Sequence, residues 1–239
     1  MIEGTKALVY HNMGLGDHIL CNGLIRAWAE RKEYILLFVK KNNFNNVSFM
    51  FRDNKKIKLI QSNDLDSRYF LKNINLKEED IRLDCLTTRQ TDTYKNDTFD
   101  EGMYSLGGLS IQDKWDYFYF ERDEEREKNV FYNILKLKDD EDFIFVHEHK
   151  ERGRHIKKEH LSDLKIINPS NYQDIGIFDF LYTMEKAKEI HLHNSSFLCL
   201  VDSIQLRNDN IFFHDYVLDN PDPWITPKLK LEWKRIINK

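Results

Sequence analysis

The chain has 239 residues, of which 41% are apolar, and a formal net charge of -4; that length suits one large or two small domains with a sizeable core. Weak acidity excludes a general electrostatic attraction to nucleic acid or anionic membrane. The absence of an apolar run long enough to cross a bilayer, and of a charged-then-apolar leader, predicts a soluble cytoplasmic protein with no transmembrane segment. Cys21, Cys85 and Cys199 have no C-x-x-C spacing, which argues against a disulfide framework or a zinc site.

Residues 7–10 read as a strand that enters a turn containing Asn12, Gly14 and Gly16 and leaves as a helix with Asp17 and His18 in its first turn. The glycines permit positive φ and close approach of a ligand, and a helix start offers free N–H groups and the positive end of its dipole. The first strand-turn-helix of an open α/β sheet is a common ligand site. Ile19, Leu20, Gly23, Leu24, Ala27 and Trp28 recur at helical spacing, and the polar Asn22 and Arg26 on the early turns exceed what packing asks for. Strands are predicted over residues 34–39, 57–60, 70–74 and 81–85, with a helix over 45–51, which is a pattern of parallel βαβ units. No structure is assigned to the polar stretch 84–100. Asp64 and Asp66 read as a solvated acidic pair, and Lys40, Lys41, Arg52, Lys55, Lys56 and Lys58 as a basic cluster.

An aromatic, charged connector follows, with Tyr104, Trp115, Tyr117, Phe118, Tyr119 and Phe120 read as packing across two lobes. A helix is predicted over residues 124–137. The second half opens with a buried strand over 143–146, which leads directly into His147-Glu148-His149-Lys150-Glu151-Arg152-Gly153-Arg154. Ligands of parallel sheets bind beyond the carboxyl ends of strands, where Lys150, Arg152 and Arg154 suit a phosphate or diphosphate. A strand over 164–167, a helix over 178–188 and a strand over 189–193 come next. Asn194-Ser195-Ser196 then starts a helix over 197–204, either as a plain cap or as an anion site. A strand over 211–214 and a helix over 228–237 close the chain. The expected architecture is two Rossmann-like α/β lobes, residues 1–120 and 121–239, facing a cleft.

The run Asn12-Met13-Gly14-Leu15-Gly16-Asp17-His18-Ile19, with Cys21-Asn22-Gly23 and Arg26, resembles the Gly-Asp turn opening the N-terminal lobe of two-Rossmann (GT-B) glycosyltransferases, in particular heptosyltransferase-like enzymes. The layout of residues 146–154 and 178–204 is similar to their second lobe, and His147 to Gly153 distantly resembles the His-x-Arg-Arg-Gly turn of fucosyltransferases that use GDP-fucose. The resemblance implies transfer of a sugar from a nucleoside diphosphate sugar to an acceptor hydroxyl, inverting and without a metal. It places donor phosphates at His147, Lys150, Arg152, Arg154, Asn194, Ser195 and Ser196, and the acceptor side at Asn12, Gly14, Gly16, Asn22 and Arg26. Asp17, or His18 beside it, is the expected general base. No cofactor is expected beyond the nucleotide sugar; the acceptor is a glycan, a lipid-linked sugar or another hydroxyl compound, with nucleic acid disfavoured. A non-catalytic or non-glycosyl nucleotide-binding Rossmann-like protein is the alternative. A dinucleotide-binding dehydrogenase is disfavoured, because Ile19 replaces the third glycine of that fingerprint and Lys40-Lys41, not an acid, follows the second strand.

Overall fold

The computed structural model describes residues 6–10, 14–63, 69, 73, 81–84, 98–218 and 226–237. The chain divides into two units, Met1–Glu121 with Asp222–Lys228, and Arg122–Pro221 with Leu229–Lys239.

Among its described residues the first unit holds four strands: β1 (Lys6–Tyr10), β2 (Tyr34–Val39), β3 (Ile57–Gln61) and β4 (Ile81–Asp84). They pair in parallel in the order β3-β2-β1-β4. Ala7, Leu8 and Val9 are fully buried, as expected of a strand flanked on both edges and covered on both faces. The single helix expected after the glycine turn is broken at Cys21 into α1 (Leu15–Leu20) and α2 (Asn22–Arg31). The buried Tyr104 hydroxyl fills the break, accepting from the Leu24 amide at 2.9 Å and donating to the Leu20 carbonyl at 3.1 Å. α3 (Phe44–Phe51) precedes β3. Thr98 and Glu101 form a reciprocal capping box at the start of α4 (Phe99–Leu106), which the short α5 (Asp113–Asp116) follows.

Gly23 on α2 faces α5 so closely that a Cβ would lie 2.6 Å from the Asp113 carbonyl and 2.7 Å from that of Lys114. Beneath this contact lies a buried ion pair, Lys114 Nζ to Asp100 Oδ2 at 2.8 Å, with both side chains sealed from solvent. Lys228 completes it from the returning segment: its carbonyl accepts from Lys114 Nζ and its amide donates to the Asp100 carboxylate. Of the strand expected over 70–74 only Asn73 is described, and it is helical. Asp64, Asp66 and Cys85 lie outside the described residues.

The second unit holds β5 (Phe143–Val146), β6 (Lys165–Ile167), β7 (Glu189–Leu192), β8 (Ile211–His214) and β9 (Lys234–Ile236), all parallel, in the order β6-β5-β7-β8-β9. The helix expected over 124–137 is α6 (Glu124–Asn129), which loosens into a π turn at Val130–Ile134. The one expected over 178–188 is a 3-10 turn, Ile177–Phe180, running into α7 (Leu181–Lys186). The helix expected over 197–204 is α8 (Ser196–Ile204).

The terminal helix expected over 228–237 does not form. Asp202 on α8 takes the Lys230 and Leu231 amides at 2.9 and 3.0 Å and the Trp233 indole N–H at 3.2 Å. With those donors captured, the chain stays extended and adds β9 to the free edge of β8. Among the described residues, no helix is long and apolar enough to cross a membrane.

Candidate functional site

In the first unit the glycine turn works differently from the expectation of positive φ. Gly14 is extended (φ -69, ψ 151) and Gly16 is helical. What Gly14 supplies is room: a Cβ there would stand 2.8 Å from Asp17 Oδ2, the atom that accepts from the Gly14 amide at 3.1 Å. Asp17 thus closes the start of α1 with its own carboxylate, a favourable place for a negative charge. It is half-buried, whereas His18 is fully buried.

Asn22 and Arg26, expected on the acceptor side, are engaged within the unit. Asn22 exchanges two hydrogen bonds with the Tyr119 backbone at 3.0 and 3.1 Å. Arg26 makes a fork to both Asp53 oxygens at 2.8 and 2.9 Å, donates to the Met50 carbonyl, and lies over the rings of Phe51 and Tyr119. Burial would raise the Asp53 carboxyl; the Arg26 bond and charge outweigh it and hold the group below its ordinary range. Asn12 lies outside the described residues. The basic cluster is partly spent on local structure too, since Lys56 Nζ donates to the Ala29 and Lys32 carbonyls at the end of α2, and Arg52 covers Phe49.

In the second unit the candidate residues converge at the carboxyl edge of the sheet. The basic run forms a closed turn: His149 and Arg154 exchange backbone hydrogen bonds at 3.0 Å around a 3-10 turn at Lys150–Arg152. Gly153 sits at φ +67, a conformation that glycine adopts without strain. Glu148 holds the stem by accepting from the Ile156 amide at 2.8 Å. The three cations then part company. Lys150 and Arg152 are exposed, Lys150 leaning toward Glu148 at 3.8 Å, while Arg154 is half-buried.

His147, directly after β5, places Nδ1 3.0 Å from the Ser195 hydroxyl and packs against Phe197. Ser195 is the N-cap residue of α8, yet its side chain does not cap that helix; the hydroxyl belongs to His147 instead. Asn194, Ser195 and Ser196 are all half-buried. His193, directly after β7, stacks on His147 with ring centroids 5.1 Å apart and planes at 15°. Burial drives His147 well below the usual histidine range, and His193, His149 and Arg154 add to it. Burial also pushes His193 down to about 4, with Arg154 contributing. Arg154 is therefore the cation of the turn whose field reaches both buried histidines.

The arrangement offers the hydroxyls and first amides at the start of a nine-residue helix, directly after a parallel strand, and a half-buried guanidinium in the turn that follows the neighbouring strand, a set suited to an anion such as phosphate. His147 and Ser195 are brought into hydrogen-bond contact, and Arg154 lies within electrostatic reach of His147 and His193. His193 and His214 are absent from the expected set although a signal was legible, since each of the three strand-like runs ends on a histidine, His147, His193 and His214; the structure makes β5, β7 and β8 neighbours. Among the described residues, no three His, Cys, Asp or Glu side chains gather in a way that could hold a metal.

No family model and no curated protein matches the chain. Among solved structures it is similar to the crystal structure of the glycosyl transferase family 9 from Veillonella parvula DSM 2008, with a TM-score of 0.58 and 12% identity over 99% of this chain and 87% of that one. At that identity the likeness is one of fold, and it is the two-Rossmann α/β fold of that glycosyltransferase.

Proposed function

We propose that the chain is a glycosyltransferase that moves a sugar from a nucleoside diphosphate sugar to an acceptor hydroxyl, with inversion and without a metal. The observation that carries this reading is the contact between His147 and Ser195 at the start of α8, with the Arg154 charge within electrostatic reach of His147. The diphosphate lies against the Ser195 hydroxyl and the first amides of α8, with Arg154 beside it and the exposed Lys150 and Arg152 available to the outer phosphate. Fixed donors and cations aimed at the departing diphosphate stabilise the charge that develops as the glycosidic bond breaks. The similarity in fold to a glycosyl transferase family 9 structure supports the assignment.

The acceptor hydroxyl must lose its proton as it attacks the anomeric carbon. Asp17 is the proposed base, being half-buried where its neighbour His18 is sealed. The capping bond from the Gly14 amide to Asp17 favours a second reading, in which Asp17 is structural and the protein binds a nucleotide without catalysis. Incubation with UDP-, GDP- and ADP-linked sugars, followed by chromatography for free sugar and nucleoside diphosphate, separates the two. Slow hydrolysis of one donor is the expected result; tight binding with no turnover, with or without glycan and lipid-linked acceptors, removes the transferase.

A further inference from the structure

Beside the phosphate-binding corner, the second unit holds a chain of buried histidines whose protonation pattern is fixed by what each one touches. Glu189 Oε2 lies 2.9 Å from His191 Nε2, and a carboxylate only accepts, so His191 carries its proton on Nε2. His191 Nδ1 is then a lone pair, and it lies 2.9 Å from His214 Nε2, which must donate. That leaves His214 Nδ1 as a lone pair, buried and with no hydrogen-bond partner. His191 is locked in this pose by stacking on Phe212 at 4.5 Å and 3°.

His193 reaches the same state by another route. Its Nδ1 lies 2.9 Å from the Asn194 carbonyl and must donate, so its Nε2 is a second buried lone pair without a partner. The two residues are neighbours across the sheet: Leu192 pairs with Phe213, and His193 and His214 each stand one position further along parallel strands. Burial pushes His193 down to about 4 and His214 to about 3, with His191 adding to the latter, so both rings are neutral at pH 7. Two buried acceptors side by side without a donor is a costly arrangement for a protein to keep.

We propose that Glu189, His191 and His214 act as a one-way hydrogen-bond relay, and that His214 Nδ1 and His193 Nε2 receive O–H or N–H donors from the uncharged part of the bound nucleotide sugar. This rests on the nucleotide-sugar reading above and adds an orientation to it. Phosphate oxygens bring only acceptors and are repelled by two lone pairs, so the diphosphate turns to Ser195 and Arg154, and a ribose hydroxyl or base N–H of the nucleoside turns to the histidines. Both nitrogens are sealed in the ligand-free protein, so binding requires neighbouring side chains to move; the rings nearest His214 include His160 and Tyr216, 5.8 and 5.7 Å away. Glu189 is a positioning residue here, acting through His191.

The test has two readouts on the full chain. Long-range ¹⁵N–¹H spectra of the ligand-free protein should show His214 and His193 unprotonated at Nδ1 and Nε2 respectively, and the His214 pattern should be lost in Glu189→Gln, whose amide permits either direction. A proton on His214 Nδ1 in the native protein overturns the relay. Calorimetry with UDP, GDP, CDP, ADP and inorganic pyrophosphate then compares wild type with Glu189→Gln and His214→Phe. The nucleoside diphosphate that binds should weaken by about tenfold or more in both variants, while pyrophosphate keeps its affinity. Parallel loss of both ligands, or loss of neither, overturns this inference and leaves the phosphate site standing; failure of every nucleotide and of pyrophosphate on wild type overturns the nucleotide reading along with it.

Discussion

At the scale of single residues, the buried histidines make stability depend on pH. A group whose folded value lies below its unfolded value binds fewer protons in the native state, so stability rises with pH across the interval between the two values. For His193, pushed down to about 4, and His214, to about 3, the contribution is complete above about pH 6.5 and is lost as pH falls toward those values. Each should cost about 2 kcal/mol by pH 5. Urea midpoints measured at pH 7 and pH 5 should therefore separate clearly, and His193→Gln should remove about half of the difference, leaving the His214 share; equal midpoints in the wild type would mean that the rings are solvated. Asp17 carries the other prediction at this scale. Asn keeps an oxygen for the Gly14 amide but accepts no proton, so Asp17→Asn should hold the melting temperature while turnover on a nucleotide sugar falls roughly 10²-fold. A variant with wild-type turnover leaves Asp17 as a cap only.

At the scale of elements, the sharpest dependence is on Gly23, which lets α2 and α5 touch. Gly23→Ala gains helix propensity but pushes a methyl into two backbone carbonyls, so a net loss of about 1–3 kcal/mol is expected from chemical denaturation. No loss would mean that α5 yields easily. The buried strands were legible in the sequence because runs such as Phe143–Val146 and Tyr34–Val39 are apolar throughout, and the parallel pattern followed from their spacing. The terminal segment misled because Leu229, Leu231 and Trp233 also fit a period of two, and the choice was made by Asp202, distant in sequence. The helix break at Cys21 was equally hidden, since Tyr104 that fills it is 80 residues from Leu24. At the site, the basic turn and the serine cap were readable from their places after strands. Which cation faces the buried cluster was not, because that depends on how the turn closes between His149 and Arg154.

At the scale of the whole molecule, the chain forms two parallel-sheet units, and the last segment serves both: Lys228 belongs to the first, β9 to the second. The Asp100–Lys114 pair, capped by the Lys228 backbone, is sealed from solvent. Asp100→Ala leaves a buried ammonium uncompensated and should cost about 3–5 kcal/mol, read from the urea midpoint; a loss below about 1 kcal/mol would mean that water reaches Lys114.

The central claim is that the second unit holds a nucleoside diphosphate through Ser195, the start of α8 and Arg154. Calorimetric titration of UDP, GDP, CDP and ADP into wild type and Arg154→Ala tests it most directly. One of the four should bind wild type, and the variant should lose on the order of 1.5–3 kcal/mol of that affinity, the scale of one charge-assisted contact. Binding of none, or equal affinity in the two proteins, would contradict the account.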